Sequence, residues 1–270
     1  MVGEDNLSAI LVNVAADARP ATRVKIANSA ETRAFLDIGL LLLRDDLLNH
    51  RGPDLLDDHD HGTCLFVGLS QARLIERAEH EDVQADKPKV LTVGMFRDRW
   101  RYKSRYTEDL ISYLFRPALL EQYMADMRIA ATKIAGDTPS PDLIRRLVDA
   151  VMATTLNDPL WSLQTILWVA LPNHPRIQAF LISRYEQWIS HWSAVYQELA
   201  DSYQLELRPQ YTWRDVAELF NAVADGARVR ARVMGSIASL STGDNVVVGA
   251  IHAMMPQLFV DPHGLGGAAR

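Results

Sequence analysis

Residues 87–106 read KPKVLTVGMFRDRWRYKSRY and carry seven of the chain's 28 lysines and arginines against a single acid, Asp98. This segment is therefore at +6 in a protein whose formal net charge is −6. Trp100, Tyr102 and Tyr106 stand between the cations. Clustered positive charge with interleaved aromatic residues is typical of a surface that meets a nucleic-acid backbone, although a solvated basic helix end would give the same charge run.

Composition places the chain among ordinary globular proteins. Its 270 residues are 48% hydrophobic and 23% charged, which is enough for a substantial core and two folding units. The apolar run at 38–43 is far shorter than the ~20 residues that span a bilayer. Because the N-terminus lacks a secretory signal pattern and Cys64 is the single cysteine, we expect a cytoplasmic protein with no internal disulfide and no membrane partner.

Helical periodicity runs through most of the chain. Capping residues and apolar stripes predict helices over about 29–48, 71–81, 92–100, 105–120, 141–152, 160–171, 175–203, 212–227 and 244–258. No run of residues shows the apolar–polar alternation of a strand. The sequence therefore predicts an all-α protein.

The segment from Thr92 to Leu110 suggests a more specific arrangement. A short helix, a tight break and a longer helix, rich in arginine and lysine, are the parts of a helix-turn-helix DNA reader. The segment resembles the helix-turn-helix signature of the TetR family of bacterial regulators. The best matches to that signature are Gly94, Arg99, Trp100 and Lys103. The chain departs from the family at Arg97, where a tyrosine is common, and at the polar loop around Pro88, where the family has a short turn.

The second half of the chain supports the same resemblance. Residues 205–226 are similar to the polar link and following helix in the ligand-binding half of many such regulators. The resemblance covers roughly residues 30–260 and implies a homodimer paired through helices at 213–233 and 244–259. Together with an unpatterned N-terminus and a glycine-rich end, it predicts a flexible arm (1–28), a helix-turn-helix DNA-binding domain (29–116), a helical ligand-binding and dimerisation domain (117–262) and a disordered tail (263–270).

Two registers of the helix-turn-helix remain open at the level of sequence. Either the helix at 71–81 supports a recognition helix at 92–100, or the helix at 92–100 is the supporting one and 103–115 enters the groove. Both registers place the basic stretch on a double-stranded DNA operator. The predicted DNA contacts are Lys89, Thr92, Arg97, Arg99, Trp100, Arg101, Tyr102, Lys103 and Arg105.

Aromatic residues concentrate in the second half, with four tryptophans between positions 161 and 192. Such a cluster is most often core packing, but it can also line a pocket for an apolar or aromatic small-molecule effector. The predicted ligand-binding residues are Met152, Trp161, Gln164, Trp168, Tyr185, Trp188 and Trp192.

The resemblance implies a transcriptional regulator, with repression as the expected mode, whose operator affinity changes when the effector binds. The alternative is a related all-α module that binds small molecules or proteins and has lost specific DNA binding; the acidic loop 54–60 and the loop 84–89 favour it. A third hypothesis, a metal-dependent helical enzyme using His59 and His61, lacks the spacing of a structured metal motif. We therefore predict no catalytic residue, no metal site and no cofactor.

Overall fold

The computed structural model describes residues 5–49, 65–82, 91–137 and 140–260. Helices make up most of these residues, and the strands among them are two short segments that pair with each other. The prediction of an all-α protein is confirmed. Among the described helices, none combines the length with the apolarity that a membrane span would require.

The elements follow the chain in a simple order. The helices are α1 (Pro20–Ala27), α2 (Ala30–Leu48), α3 (Gln71–Asp82), α4 (Val93–Trp100), α5 (Lys103–Leu114), α6 (Pro117–Asp137), α7 (Ser140–Asn157), α8 (Pro159–Ala170), α9 (Pro175–Ser202), α10 (Trp213–Met234) and α11 (Val246–Leu258). The strands β1 (Glu206–Leu207) and β2 (Phe259–Val260) form an antiparallel ladder.

Several helices begin where capping residues predicted. The side chains of Ser29 and Thr92 accept hydrogen bonds from backbone N–H groups in the first turns of α2 and α4. At the start of α10, Thr212 and Asp215 form the predicted capping box. Local sequence therefore sets these three helix starts.

Two helix boundaries differ from the prediction. The helix predicted over 244–258 begins at Val246, where the Asn245 side chain caps it by accepting from N–H groups of the first turn of α11. The helix predicted over 105–120 is interrupted, since α5 ends at Leu114 and Pro117 begins α6. Proline suits the first turn of a helix, where its missing N–H has no intrahelical partner.

The chain divides into two compact units. Unit 1 contains residues 1–118 and 159–178, and unit 2 contains residues 119–158 and 179–270. The predicted boundary at 116 lies close to the end of the first part of unit 1, but α8 belongs to unit 1 and not to the ligand-binding half as predicted. The reason is that α8 packs on α2, with Leu163 and Leu167 buried, and the Gln164 side chain donates to the backbone oxygen of Leu114 at 2.7 Å.

An aromatic cluster forms the core of unit 1. Its members Phe35, Phe96, Trp100 and Tyr106 are almost completely buried. The rings of Trp100 and Tyr106 meet edge to face at 5.0 Å, and the Tyr106 hydroxyl donates to the backbone oxygen of Phe35 at 2.7 Å. A Cβ on Gly39 of α2 would lie 1.9 Å from that hydroxyl, so α2 and α5 approach this closely only because residue 39 is glycine.

The segment before α2 was predicted to be a flexible arm, but its described part is folded onto unit 1. Leu7, Leu11 and Val14 are fully buried. Asp109 of α5 accepts hydrogen bonds from the backbone N–H groups of Val12 and Asn13, both at 3.0 Å. Sequence patterns missed this docking because the partners are almost one hundred residues apart along the chain.

The core of unit 2 forms where α7, α10 and α11 pack on one another. Its buried residues include Val148, Met152, Val216, Phe220, Val248 and Ile251. The β1–β2 ladder ties the segment after α9 to the end of α11. The predicted tail at 263–270 lies outside the described residues.

We predict that Gly39→Ala lowers the free energy of unfolding by about 1–3 kcal/mol, because the new methyl group meets the Tyr106 hydroxyl. Urea unfolding of Gly39→Ala, Tyr106→Phe and the double variant measures the coupling. The substitution should cost less in the Tyr106→Phe background, since the clashing oxygen is gone. Gly136→Ala on α6, where the added Cβ meets nothing within 4 Å, is the control and should not destabilise. Strictly additive losses would contradict this account.

We predict that Asp109→Asn destabilises unit 1 by about 2–4 kcal/mol, because an amide N–H₂ would face hydrogen-bond donors in a buried site. Asp98→Asn, which changes an exposed acid on α4, is the matched control and should alter stability by less than about 0.5 kcal/mol. Thermal unfolding followed by circular dichroism compares the two. Equal melting temperatures for both variants would rule out the proposed role of Asp109.

Candidate functional site

The short helix α4 presents one face to solvent and buries the other. Phe96 and Trp100 point into the aromatic core, whereas Val93, Arg97 and Asp98 are exposed. Its preceding residue, Thr92, is also exposed and caps the helix. The helix therefore offers a polar outer face about two turns long.

The longer helix α5 is exposed only at its start. Ser104 is exposed, but the residues from Asp109 to Leu114 are all buried. The Glu108 carboxylate is held by His174 at 3.0 Å and Arg176 at 3.2 Å, at the start of α9. Only the first turn of α5 can meet a partner.

Arg99 was predicted to contact DNA, but its side chain is mostly buried and connects two helices of unit 1. Its side chain is 11% exposed and donates to Thr32 Oγ1 at 2.9 Å, to the Met95 carbonyl at 3.0 Å and to Ser29 Oγ at 3.2 Å. Burial lowers the pKa of its guanidinium, and the Glu31 carboxylate opposes that shift. The side chain ties α4 to the start of α2 and is not available to a phosphate.

Trp100 is also removed from the predicted DNA surface, because it is completely buried. Its indole N–H donates to Asp109 Oδ2 at 3.0 Å. The signature positions at 99 and 100 therefore hold the fold of unit 1 together. A further predicted contact, Lys89, lies outside the described residues.

The remaining predicted cations surround the α4–α5 junction, and we call Arg97, Arg101, Tyr102, Lys103 and Arg105 the junction cluster. The Tyr102 ring is 52% exposed and lies beneath the guanidinium groups of Arg101 at 5.3 Å and Arg105 at 5.7 Å. Lys103 Nζ donates to the backbone oxygen of Val67 at 2.8 Å, and burial lowers its pKa. Arg105 lies 3.5 Å from the exposed Asp17 carboxylate. The cluster is a compact cationic surface with an aromatic centre.

The backbone at this junction is unusual. Arg101 has a φ of +52°, and the N–H of Tyr102 donates back to the Trp100 carbonyl in a tight turn. Residues other than glycine adopt such a conformation at a cost of about 1–3 kcal/mol. The turn aims the exposed Arg101 side chain away from the core.

The start of α5 adds backbone donors to the cationic side chains. Tyr102 precedes the helix and makes no side-chain capping hydrogen bond, and the first turn contains no acid. The first N–H groups of a helix have no intrahelical acceptor, and the helix dipole places partial positive charge there. Helix starts of this kind bind phosphate groups.

Unit 2 contains a cavity of about 670 Å³. It lies among α7, α9, α10, α11 and the residues that precede α11. Its volume falls within the range of about 300–1,000 Å³ that is typical of small-molecule sites. Most of its lining is aliphatic or aromatic.

The predicted ligand-binding residues separate into three groups. Met152 and Trp192 line the cavity. Trp188 is buried and donates to Asn221 Oδ1 at 2.8 Å, and the Tyr185 hydroxyl bonds to Glu218 outside the cavity lining. The residues of α8 lie in unit 1: Trp161, Gln164 and Trp168.

Sequence reasoning missed most of the polar lining of the cavity. Tyr196 belongs to the aromatic cluster that the sequence indicates, continues the stripe of Trp188 and Trp192 along α9 and lines the cavity, although it was not among the predicted ligand-binding residues. Asn221 and Arg228 lie on α10 seven residues apart, within a face that is otherwise apolar, and both are buried. A polar pair at that spacing on an apolar face is the signal that could have identified them.

The electrostatics of the cavity centre on Arg228 and its aromatic neighbours. The rings of Trp192 and Tyr196 stack at 5.2 Å. Burial raises the pKa of the Tyr196 hydroxyl strongly, and the Arg228 cation acts in the opposite direction. The indole N–H of Trp192 is buried with no hydrogen-bond partner among the described residues.

No grouping of three or more potential metal-ligating side chains occurs among the described residues. His59 and His61 lie outside them, so the expectation about the acidic loop stays a prediction. Comparisons with protein-family models, curated proteins and solved structures find no match for the chain. Function must therefore be argued from the geometry of these residues.

Proposed function

We propose that the protein is a homodimeric, TetR-like transcriptional regulator that binds operator DNA through α4 and the junction cluster. The observation that carries this proposal is the grouping of exposed and partly exposed cations around the uncapped start of α5, directly beside the exposed face of α4. Backbone N–H groups and arginines would hold phosphates there, while α4 would lie in the major groove. The cavity of unit 2 would hold the effector.

Burial favours one register of the proposed helix-turn-helix. α5 is buried along its second half, so only its first turn could contact a groove. α4 has an exposed face along its length, and the diameter of an α-helix with its side chains, about 10–12 Å, fits a major groove about 12 Å wide. α3 packs on both α2 and α4, as a supporting helix would. We therefore assign recognition to α4 and support to α3.

The backbone of Arg101 argues that its side chain has a function. Glycine would adopt a φ of +52° without strain, whereas arginine does so at a cost in stability. Among the described residues, the Arg101 side chain lies on the surface and contacts the exposed Tyr102 ring, so no buried contact offsets that cost. A phosphate contact would account for the choice of residue.

One observation favours the alternative of a helical module without specific DNA binding. Asp98 is exposed on the same helix as Arg97 and would face the phosphates of a bound duplex. An aspartate can also accept from the N4 amino group of cytosine in the major groove. Affinity for DNA of defined sequence therefore separates the two proposals.

We propose that α10 forms the dimer contact. Its exposed residues Leu219, Ala222, Gly226, Val229 and Val233 are spaced three and four apart, as in a helix-pairing seam. Glycine inside a helix costs about 1 kcal/mol relative to alanine, and a Cβ on Gly226 would meet nothing within 4 Å. A second helix packed closely against this position would explain the glycine.

The charges on α10 favour antiparallel pairing with a second copy. Near its start, Arg214 pairs with Glu186 and Glu218, which leaves Asp215 as the unbalanced charge. Arg230 and Arg232 lie near its end. An antiparallel arrangement brings Asp215 of one copy beside the basic end of the other. α11, which the family resemblance also assigned to the dimer, exposes His252, Ala253, Pro256 and Gln257 and offers little apolar surface.

We predict that Arg101→Gly raises the free energy of unfolding by about 1 kcal/mol and weakens binding to the duplex upstream of its own coding sequence about tenfold. In a dimer, the slope of log affinity against log salt should fall by about two, one contact for each copy. Thermal unfolding and fluorescence anisotropy over a salt series measure the two effects. A gain in stability together with a loss of affinity is specific to a side chain that serves DNA.

Two variants control this experiment. Lys133→Ala removes an exposed cation from α6 in unit 2 and should change neither affinity nor slope. Arg101→Lys keeps the charge and should keep most of the slope. If Arg101→Gly binds the duplex as tightly as the unmodified protein at every salt concentration, the junction cluster is not the DNA-binding surface.

We predict that Val229→Glu converts the dimer to a monomer at micromolar concentration, because it places a charge in the seam. Val229 is exposed within one chain, so the folded monomer should retain its helix content. Sedimentation velocity gives the mass. The control is Ile129→Glu, which changes another exposed apolar residue, on α6. A Val229→Glu protein that still sediments as a dimer would exclude α10 as the contact.

A further inference from the structure

We propose that the cavity of unit 2 binds an apolar molecule carrying one anionic head, such as a carboxylate, and that the head lies at the end formed by Trp192, Tyr196 and Arg228. This inference rests on the proposed function only in treating the bound molecule as the effector. It adds the chemical class of that molecule and its orientation.

We infer that most of the ligand is apolar from the residues that line the cavity. Leu147, Val151 and Met255 supply aliphatic surface, and Phe220 supplies an aromatic face, in a cavity of about 670 Å³. A lining of this kind excludes a sugar or a nucleotide, whose many hydroxyl or phosphate groups would lose water without gaining partners. An alkyl or alkyl-aryl group loses only unfavourable contact with water.

The head group follows from the donors gathered around one pair of aromatic rings. Trp192 is 2% exposed, and its indole N–H is buried with no partner among the described residues. The Tyr196 ring stacks on Trp192. The Arg228 cation acts to lower the pKa of the Tyr196 hydroxyl, against the larger effect of burial. Buried donors of this kind call for an acceptor, and a charged acceptor makes the stronger hydrogen bonds.

The charge balance near this end also favours an anion. Arg228 is 6% exposed and pairs with the half-exposed Asp225. Burial lowers the pKa of a second guanidinium, Arg184, to about 10, and the nearby Arg228 cation adds to that shift, whereas Asp225 and Asp158 oppose it. A carboxylate bound beside Arg228 would relieve the repulsion between the two guanidinium groups.

Asp244, an acidic residue of the lining, does not oppose the binding of an anionic head. Asp244 lies before α11, and Arg145 of α7 neutralises it at 2.5 Å. Asn221 is already engaged, since it accepts from Trp188 and donates to the Ala217 carbonyl. Arg228 is the arginine among the lining residues, and we assign the preference for an anion to it.

The test uses three matched probes on the full-length protein: 4-hexylbenzoate, neutral 4-hexylbenzyl alcohol and cationic 4-hexylbenzylamine. Quenching of tryptophan fluorescence and isothermal titration measure binding. We expect the benzoate to bind at least tenfold more tightly than either of the other two, with a rise in melting temperature that follows the same order. Equal binding of the benzoate and the alcohol, or no binding of the benzoate to the folded protein, would overturn the proposal.

Variants then locate the head group. Arg228→Met should abolish the preference for benzoate over alcohol while leaving the affinity for the alcohol within about threefold, and Arg228→Lys should restore part of it. If Arg228→Met does not fold, Tyr196→Phe, which removes only the hydroxyl, should lower the benzoate preference severalfold. A preference that survives in both Arg228→Met and Tyr196→Phe would place the head elsewhere and overturn the assignment.

The same protein preparation separates this inference from the proposed function. DNA binding without any selective benzoate binding would refute the ligand class and leave the regulator proposal standing. Selective benzoate binding without salt-dependent affinity for DNA would support the ligand class and refute the regulator proposal. Weakened DNA binding on addition of the benzoate, and not of the amine, would support both.

Discussion

The buried carboxylate of Asp109 is the interaction on which unit 1 depends. It accepts from the backbone of Val12 and Asn13 and from the indole of Trp100, so one side chain joins the N-terminal segment and the end of α4 to the middle of α5. Burial raises the pKa of this carboxyl, and the surrounding donors oppose that shift by favouring the charged form. Because every partner is a donor, losing any one of the three segments would leave a buried charge partly unsatisfied.

This constraint divides the basic stretch into an inner and an outer set. With Trp100 held by Asp109, Phe96 one turn earlier also points into the core. Arg97 and Arg99 lie on the two flanks of that buried face; Arg99 meets the start of α2 and is mostly buried, whereas Arg97 is exposed. A charge count treats these two arginines alike, and only the packing of α2 against one flank of α4 separates them.

Local sequence signals predicted several helix starts, but they could not predict contacts between segments that are far apart along the chain. Ser29 and Thr212 act within a few residues, so their effect can be read directly from the sequence. The docking of Leu11 beside Asp109 and the placement of α8 with unit 1 depend on partners far away along the chain. The cavity was anticipated only through Met152 and Trp192, because the tryptophans of α8 belong to the other unit.

Two positions carry a residue that the isolated chain would not favour. Arg101 adopts a conformation suited to glycine, and Gly226 occupies a helical position suited to alanine. Each costs on the order of 1 kcal/mol, and their sum is a noticeable part of the roughly 5–15 kcal/mol by which domains are stable. Both residues lie on exposed faces, so no buried contact with the described residues offsets either cost. The proposed partners would explain both positions: an anionic partner at the junction cluster would account for the strained arginine, and a closely packed helix at α10 would account for the glycine.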